Sequence, residues 1–323
     1  MIRLSIIIPF YNVEPYITQC LDSVYQQDIP EEEYEVICVN DASPDGTKEI
    51  VKEYQKKHTN LILVEHEVNK KLGSARNTGL KIARGEYIWH MDSDDKIERN
   101  CLKKMLTICE SKQLDVLEFG FIDWYPDKTI SCREWEVARK EGVTTGQEYI
   151  HAHFMQRFGL ICPIWRRVYR NEFLQANHIV SPPINMGEDE PFAIHVFATA
   201  KRVTFEPQDW YYHRINRTSL VGENRQSWSA QKWYEASMVC SYYVHQVYHR
   251  IKPIISSDIR KAIEDMIAYD ILYFDTFEAK FNDEARNDFW SLCRNNAIRN
   301  LFVFRYLSRK KKYAYIRNLL LNK

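Results

Sequence analysis

Residues 87–95 read Tyr-Ile-Trp-His-Met-Asp-Ser-Asp-Asp, an apolar run that ends abruptly in three carboxylates. The apolar part is typical of a buried strand, which places the acids at the carboxyl end of that strand. Open α/β sheets bind their ligands at that end. Because clustered carboxylates repel one another, the stretch predicts a bound cation, and oxygen ligands favour Mg²⁺ or Mn²⁺. An ion held by few carboxylates usually shares its ligand shell with substrate phosphates.

A simpler role for these acids would be to cap a helix. The apolar spacing after them predicts a helix over residues 96–110, and Asp94 or Asp95 could serve as its N-cap. A cap needs one acid, whereas the stretch carries three. The excess favours ligand binding.

The first hundred residues alternate apolar strands with amphipathic helices. The predicted strands cover residues 4–8, 34–40, 61–65 and 85–91, and the predicted helices cover 13–26, 47–58 and 74–83. Strands that are apolar throughout are typical of parallel sheets covered on both faces. The pattern therefore predicts an α/β fold with a doubly wound, mostly parallel sheet.

Beyond residue 111 the pattern is looser. It predicts strands at 114–121 and 202–206, an irregular stretch at 123–145, helices at 147–156 and 188–199, and helical structure from residue 228 onward. We therefore expect an α/β catalytic-type domain over residues 1–220 and a helical C-terminal region over residues 221–323.

The charge of the chain is balanced but unevenly placed. Lys plus Arg and Asp plus Glu number 44 each, so the chain has no bulk attraction for nucleic acid. Residues 289–323 contain basic and apolar side chains but no acidic one, which predicts a peripheral contact with an anionic membrane leaflet. A solvated helix face is the open alternative.

The eight cysteines are scattered without a CxxC pair, which is typical of buried thiols in a reducing compartment. No apolar run approaches the roughly 18 residues of a membrane span. Together with the basic tail, these features predict a cytoplasmic location at the inner face of the membrane.

Four motifs in the first hundred residues resemble those of the family 2 glycosyltransferases, in the same order and spacing. They are Ser-Ile-Ile-Ile-Pro-Phe-Tyr-Asn at 5–12, Val-Asn-Asp-Ala-Ser-Pro-Asp-Gly-Thr at 39–47, Gly-Ser-Ala-Arg-Asn-Thr-Gly-Leu at 73–80 and Met-Asp-Ser-Asp-Asp at 91–95. The resemblance implies a GT-A fold, a nucleotide-diphospho-sugar donor (a UDP-sugar favoured) and inversion of the anomeric centre. It also implies a glycan or lipid-linked acceptor in surface-polysaccharide synthesis.

The resemblance implies donor contacts at the strand ends. Asp41 is expected to contact the base or ribose, although an Asx-turn in the following loop would also explain it. Pro9 and Tyr11 end the first strand, where Tyr11 either stacks on the base or is a turn aromatic. Gly73 permits a close backbone approach or merely a turn.

Two arginines are expected to meet anionic groups of the donor. Arg76 stands at a helix start, where a cation opposes the helix dipole, which points to an anionic or carbonyl-bearing ligand or to a paired acid. Arg214 lies in residues 211–219, which resemble the segment that closes over the diphosphate in this family. It either binds diphosphate or is solvated.

For the metal, the resemblance assigns Asp92 and Asp94 to the Asp-x-Asp motif. Asp94 is the expected direct ligand of Mn²⁺ or Mg²⁺, and Asp92 contacts the ribose or a metal-bound water. Asp95 supports them or caps a helix. His213 replaces the tyrosine found in much of the family and is either a third metal or diphosphate contact or a structural residue.

Residues 187–190, Gly-Glu-Asp-Glu, resemble the acidic motif that carries the catalytic base. We expect Asp189 to be the general base and Glu188 to be its neighbour or an acceptor contact. Acids that favour a helix N-terminus are the simpler alternative. Trp165 either lines the acceptor pocket or fills the core.

Other classes of protein fit the sequence less well. A sugar-phosphate nucleotidyltransferase needs a glycine-rich loop after the first strand, where this chain has Pro-Phe-Tyr-Asn at 9–12. Neither GxGxxG nor GxxxxGK[ST] occurs, which excludes Rossmann dehydrogenases and P-loop NTPases. A degenerate transferase that only binds nucleotide-sugars is disfavoured by the intact acids at positions 92, 94 and 189.

Overall fold

The computed structural model describes residues 1–125, 129–131, 142–156, 163–215 and 238–278, together with residues 234, 291, 293 and 295. The strands within these ranges are β1 Leu4–Phe10, β2 Tyr34–Asn40, β3 Leu61–Glu65, β4 Tyr87–His90, β5 Lys96–Ile97, β6 Val116–Trp124, β7 Thr129–Ser131, β8 Arg167–Arg170 and β9 Val203–Arg214. The α-helices are α1 Glu14–Tyr25, α2 Thr47–Lys57, α3 Leu72–Ile82, α4 Leu102–Ser111, α5 Gly146–Gln156, α6 Asn171–Ala176, α7 Asp189–Thr199, α8 Cys240–Ile251 and α9 Ser257–Glu278.

The described strands form one sheet, in the order β3-β2-β1-β4-β8-β6-β9-β5, with β7 paired to β6. β1 and β2 are buried along their whole length, as their apolar sequences require. The pairs β1–β2, β1–β4 and β2–β3 are parallel. This arrangement confirms the predicted α/β class.

The sheet becomes mixed beyond β4. β8 pairs antiparallel with both β4 and β6, and β9 runs parallel to β6. β4 therefore has a parallel neighbour on one side and an antiparallel neighbour on the other. The acids that follow β4 stand at this change of direction.

The helix predicted over residues 96–110 is wrong in its first part. Lys96 and Ile97 form β5, which pairs antiparallel with β9, and α4 begins only at Leu102. The backbone of Glu98 also donates to the Trp210 carbonyl at 2.8 Å. These cross-sheet bonds hold the chain extended, so neither Asp94 nor Asp95 caps a helix.

Other strands differ from the predicted bounds. β9 continues to Arg214 instead of ending near residue 206, and β6 and β7 enter the stretch predicted to be irregular. The register of β6 on β9 shifts around Gly120, where an added Cβ would lie 2.3 Å from Asp209. Pro207 and this bulge interrupt the alternation by which a strand is recognised in sequence.

The core lies on both faces of the sheet. One face is covered by α1 and α4, and the other by α3, α7 and the described part of the C-terminal region. Ile263 of α9 and Tyr248 of α8 belong to the same buried cluster as Ile7 of β1. Residues 240–251 and 257–278 of the C-terminal region are helical, and the division of the chain at residue 220 stays a prediction.

The described helices include none that is long and apolar enough to cross a membrane. The basic tail at residues 289–323 lies outside the described residues, apart from three single positions. Its predicted membrane contact therefore stays a prediction.

Candidate active site

The predicted donor residues gather where the parallel strands end. Asp41 follows β2, and its backbone N–H donates to the Phe10 carbonyl at 3.0 Å. Asp92 follows β4, where Met91 donates to the Ile7 carbonyl at 2.9 Å. The parallel ladder thus brings both acids to one edge of the sheet.

Asp41 is buried, and its Oδ1 accepts a hydrogen bond from the Lys70 backbone at 2.8 Å. The same oxygen lies 2.6 Å from His66 Nδ1. The Asx-turn acceptor of the next loop is Asn40, which binds the Ser43 N–H at 2.8 Å. Asp41 is therefore not needed for that turn.

The three other predicted donor positions lie in β1, directly after it and in the first turn of α3. Pro9 is buried in β1, whereas the Tyr11 side chain is 49% exposed at the end of that strand. Gly73 meets the loop before α7 so closely that an added Cβ would lie 1.7 Å from the Pro182 carbonyl oxygen. This contact alone requires glycine at position 73.

Arg76 is a buried cation between two groups of acids. Its Nη2 lies 2.9 Å from Asp92 Oδ1 and 3.4 Å from Glu188 Oε1. Its Nε and Nη1 have no hydrogen-bond partner among the described residues. The structure therefore pairs Arg76 with acids and joins the end of β4 to the start of α7.

Glu188 precedes α7, and Asp189 is the first residue of that helix. Burial and the charge of Asp189 raise the pKa of Glu188 well above its usual value, against the opposing effect of Arg76. Burial also raises the pKa of Asp189. A carboxylate with a raised pKa accepts a proton more readily, as a general base must.

The loop that leads to these two acids packs against the start of α8. Gly187 has a φ of +76°, and an added Cβ would lie 2.9 Å from Cys240 Sγ. Cys240 Sγ also lies 3.2 Å from the Gly187 carbonyl oxygen. The first turn of α8 therefore supports the residue immediately before Glu188.

Asp94 and Asp95 have different surroundings. Asp94 is half-buried, and burial together with the charge of Asp92 raises its pKa to about 6. Asp95 is fully buried, and it accepts hydrogen bonds from the Tyr211 hydroxyl at 2.6 Å and the Arg214 backbone at 2.7 Å. Asp95 thus holds β9 to the end of β4, and Asp94 remains the acid closer to solvent.

His213 lies on β9 beside these acids. Its Nδ1 is 2.9 Å from Asp123 Oδ1, and its ring stacks on Trp165 with centroids 5.1 Å apart. Burial lowers the pKa of His213, but the Asp123 hydrogen bond and the charge of Asp95 outweigh burial and raise it to about 9. Trp165 is itself buried and also stacks on Tyr211, so it fills the core beneath His213.

Arg214 is held beside the Asp-x-Asp motif. Its Nε donates to the Asp94 carbonyl at 2.7 Å, and its Nη2 donates to Gln19 Oε1 at 2.6 Å. The guanidinium carbon lies 4.1 Å from the centroid of the Trp124 ring. The arginine therefore supplies positive charge at the rim of the acidic site.

In the part of the chain that the structure describes, no group of three His, Cys, Asp or Glu side chains is arranged to hold a metal ion by itself. The residues nevertheless fit a cation, since three carboxylates follow β4 within four positions and the charge of Asp92 adds to burial in raising the pKa of Asp94. The carboxylate on His213 Nδ1 is also the partner that metal-binding histidines usually have.

The sequence analysis assigned no individual role to three residues that shape the site: His66, Asp123 and Tyr211. His66 directly follows a parallel strand. The rule that ligand sites lie at the carboxyl ends of such strands, which pointed to Asp41 and Asp92, could therefore have found it. Asp123 and Tyr211 lie on β6 and β9, whose pairing no local pattern reveals.

Comparison with known proteins places the fold and the family. The family model described as Glycosyl transferase family 2 matches residues 5–162. The Bacillus subtilis protein named Uncharacterized glycosyltransferase EpsJ is 33% identical over 299 residues, which cover 83% of this chain and 84% of that protein. The Staphylococcus aureus poly(ribitol-phosphate) beta-N-acetylglucosaminyltransferase TarS is 28% identical over 84% of this chain, but the match spans only 44% of TarS.

Two solved structures share the fold. Staphylococcus aureus TarS 1–349 in complex with UDP-GlcNAc has a TM-score of 0.69 at 22% identity, over 98% of this chain and 89% of that chain. The mannosyltransferase PcManGT from Pyrobaculum calidifontis, in complex with GDP-Man and Mn²⁺, has a TM-score of 0.55 at 16% identity, over 98% of this chain and 87% of that chain. These likenesses confirm the GT-A fold.

The similarity to EpsJ extends over most of both proteins, and the family motifs lie at the strand ends that form the acidic site. The chain is therefore a glycosyltransferase and belongs to glycosyl transferase family 2.

Proposed function

We propose that this enzyme transfers a sugar from a UDP-sugar to a hydroxyl of a glycan or lipid-linked acceptor, with inversion and with Mn²⁺ or Mg²⁺ as cofactor. The observation that carries the proposal is the position of Arg76, whose Nη2 meets Asp92 at 2.9 Å and Glu188 at 3.4 Å. Arg76 thus brings the donor-side acid Asp92 next to Glu188, the immediate neighbour of the candidate base Asp189.

The donor site would lie at the ends of β1 and β2. Asp41 would accept a hydrogen bond from the base, exposed Tyr11 would stack on it, and Pro9 would shape the floor of the pocket. The UDP-GlcNAc complex of TarS supports a UDP-sugar as donor.

Asp94 and Asp92 would hold the cation together with phosphate oxygens of the donor, and His213 would join them through Nε2 once the ion had displaced the proton that its raised pKa retains. When bound, the ion would stabilise the negative charge of the departing diphosphate. Arg214 would add positive charge at the rim, because it is already anchored to the Asp94 carbonyl. The Mn²⁺ in the PcManGT complex supports this cofactor.

Asp189 would act as the general base. It would take the proton of the acceptor hydroxyl while that oxygen attacks the anomeric carbon from the face opposite the diphosphate. One displacement inverts the configuration, and no covalent intermediate is needed. The raised pKa of Asp189 supports this role, and Glu188 is the next candidate.

The poly(ribitol-phosphate) acceptor in the name of TarS supports a bacterial surface polymer as the acceptor class. The basic tail would bring the enzyme to the inner face of the cytoplasmic membrane, and no nucleic acid takes part. A degenerate transferase that binds nucleotide-sugars without catalysis is the alternative.

The proposal is tested with a panel of UDP- and GDP-sugars, by measuring nucleotide release in Mn²⁺ and in EDTA. We expect release from a UDP-sugar in Mn²⁺ and its loss in EDTA or in Asp94→Asn. Equal UDP affinity in Mn²⁺ and EDTA by calorimetry would contradict the metal role. UDP binding without turnover of any donor would favour the non-catalytic alternative.

A further inference from the structure

We propose that His66 is a positioning residue for the donor: it fixes one oxygen of Asp41 so that the other is presented to the nucleobase. The inference rests on the proposed function, in which Asp41 contacts the base.

His66 lies directly after β3, at the carboxyl end of the third parallel strand. Its backbone N–H donates to the Asn40 carbonyl at 2.9 Å, which fixes the residue beside the end of β2. Its side chain and that of Asp41 are each only 4% exposed. The ring is therefore held between the β2 end and α3.

Both ring nitrogens of His66 have partners. Nδ1 lies 2.6 Å from Asp41 Oδ1, and Nε2 lies 2.9 Å from Thr78 Oγ1. The Thr78 hydroxyl donates its hydrogen to the Ser74 carbonyl at 3.0 Å, within α3. Because an ionised carboxylate only accepts hydrogen bonds, Nδ1 is the ring nitrogen that donates to Asp41, while Nε2 is held beside the Thr78 hydroxyl.

This pattern leaves the two carboxylate oxygens of Asp41 in different states. Oδ1 accepts from His66 and from the Lys70 backbone, while Oδ2 has no hydrogen-bond partner among the described residues. An ionised carboxylate oxygen only accepts hydrogen bonds. Oδ2 is thus suited to a base that presents a ring N–H, as uracil does at N3 and cytosine does not.

The test uses two substitutions that each keep one half of the histidine's contacts. His66→Asn places an amide nitrogen near the Nδ1 position and keeps a donor for Asp41. His66→Gln reaches the Nε2 position and keeps a group beside Thr78 but loses the donor for Asp41. The affinities for UDP and CDP are measured by calorimetry with Mn²⁺, and the melting temperature is measured for each variant.

We expect His66→Gln to weaken UDP binding about tenfold or more. An Asp41 carboxylate that His66 no longer fixes loses its charge-assisted hydrogen bond to the base, and that loss typically has this size. It should also narrow the preference for UDP over CDP. His66→Asn should bind UDP within a few-fold of the wild type and keep that preference.

Wild-type affinity and base preference in both variants would overturn the inference. Equal losses in both, for UDP and CDP alike and with a lower melting temperature, would show a purely structural role and also overturn it. Asp41→Asn distinguishes a failure of the His66 role from a failure of the proposed base contact at Asp41. If it weakens UDP binding while both His66 variants do not, the donor site stands and only the inference fails; if it has no effect, the proposed base contact itself fails.

Discussion

The Arg76 guanidinium lies 3.4 Å from the Glu188 carboxylate, although 112 positions separate the two residues in sequence. The same Nη2 is 2.9 Å from Asp92, so one cation holds the start of α7 against the end of β4. The distance from the donor-side acid Asp92 to the loop that carries Glu188 and the candidate base Asp189 is thereby set by the protein itself. Such preorganisation lowers the cost of bringing two substrates together.

Arg76→Met should destabilise the protein strongly. The substitution leaves Asp92, Glu188 and Asp189 without their buried cation, and breaking a buried ion pair on one side typically costs about 3–5 kcal/mol. Denaturant unfolding measures the change. Lys56→Met is the control, because Lys56 pairs with Glu53 at the surface with 69% of its side chain exposed, and such solvent-screened pairs contribute little to stability. Equal small effects of both substitutions would contradict this account.

Asp189→Asn should lower sugar transfer by roughly 10²–10⁴-fold, the range typical of losing a general base. The asparagine keeps the shape of the side chain but cannot take the acceptor's proton. UDP affinity and Mn²⁺ dependence should change little, whereas Asp41→Asn should weaken donor binding more than turnover at saturation. Initial rates and calorimetry on the two variants distinguish these effects. Near wild-type transfer by Asp189→Asn would move the base elsewhere, with Glu188 the first alternative.

His90→Phe should stabilise the protein, and more so in acid. His90 is fully buried with neither ring nitrogen hydrogen-bonded among the described residues, and burial followed by the charge of Arg76 lowers its pKa well below 6.5. The unfolded chain therefore takes up a proton below about pH 6.5 that the folded protein does not. Folding loses stability as the pH falls through that range, and phenylalanine removes the loss.

We expect His90→Phe to gain about 1–3 kcal/mol at neutral pH, from relief of an unsatisfied polar group. The gain should grow by at most about 1.4 kcal/mol for each pH unit below 6.5. Unfolding curves of the wild type and the variant at about pH 7.5, about pH 6.5 and about pH 5.5 measure this gain. A pH-independent difference would show that His90 does not stay neutral in the folded protein.

Lys71→Gly should also stabilise the protein. Lys71 has φ +75° and ψ +158°, a backbone conformation that is almost restricted to glycine and costs about 1–3 kcal/mol in other residues. Glycine loses more entropy on folding and gives up the contacts of the Lys71 side chain, so we expect a net gain of at most roughly 1 kcal/mol. Lys70→Gly is the control, because Lys70 lacks a positive φ and the change should cost about 0.5–1 kcal/mol. Thermal unfolding of both variants should shift in opposite directions.

Sequence patterns located the features that depend on neighbouring residues. Apolar runs mark β1 and β2. The end of β4 and the acids that follow it can also be predicted locally, because the apolar run and the acids are adjacent in sequence. The patterns could not show that Lys96 and Ile97 pair with β9, because two residues give no periodicity.

The same limit applies to the site. The sequence suggests that Asp95 caps a helix or supports the Asp-x-Asp motif. Only the structure shows that it accepts a hydrogen bond from Tyr211, 116 positions later. Arg76 at a helix start opposes the dipole, and only the tertiary structure shows that Asp92 and Glu188 compensate it. Charge partners separated by more than a hundred residues leave no trace in a single sequence.

The contact of Gly187 with Cys240 also bears on the synthesis of the enzyme. A ribosome releases the strands that carry Asp41 and Asp92 long before it releases α8, and N-terminal parts of a chain generally fold first. The contact between Cys240 and Gly187, which supports the loop before Glu188, can form only when Cys240 has left the ribosomal exit tunnel. We therefore expect the growing chain to form the sheet edge at Asp41 and Asp92 before the loop that carries Glu188 becomes ordered.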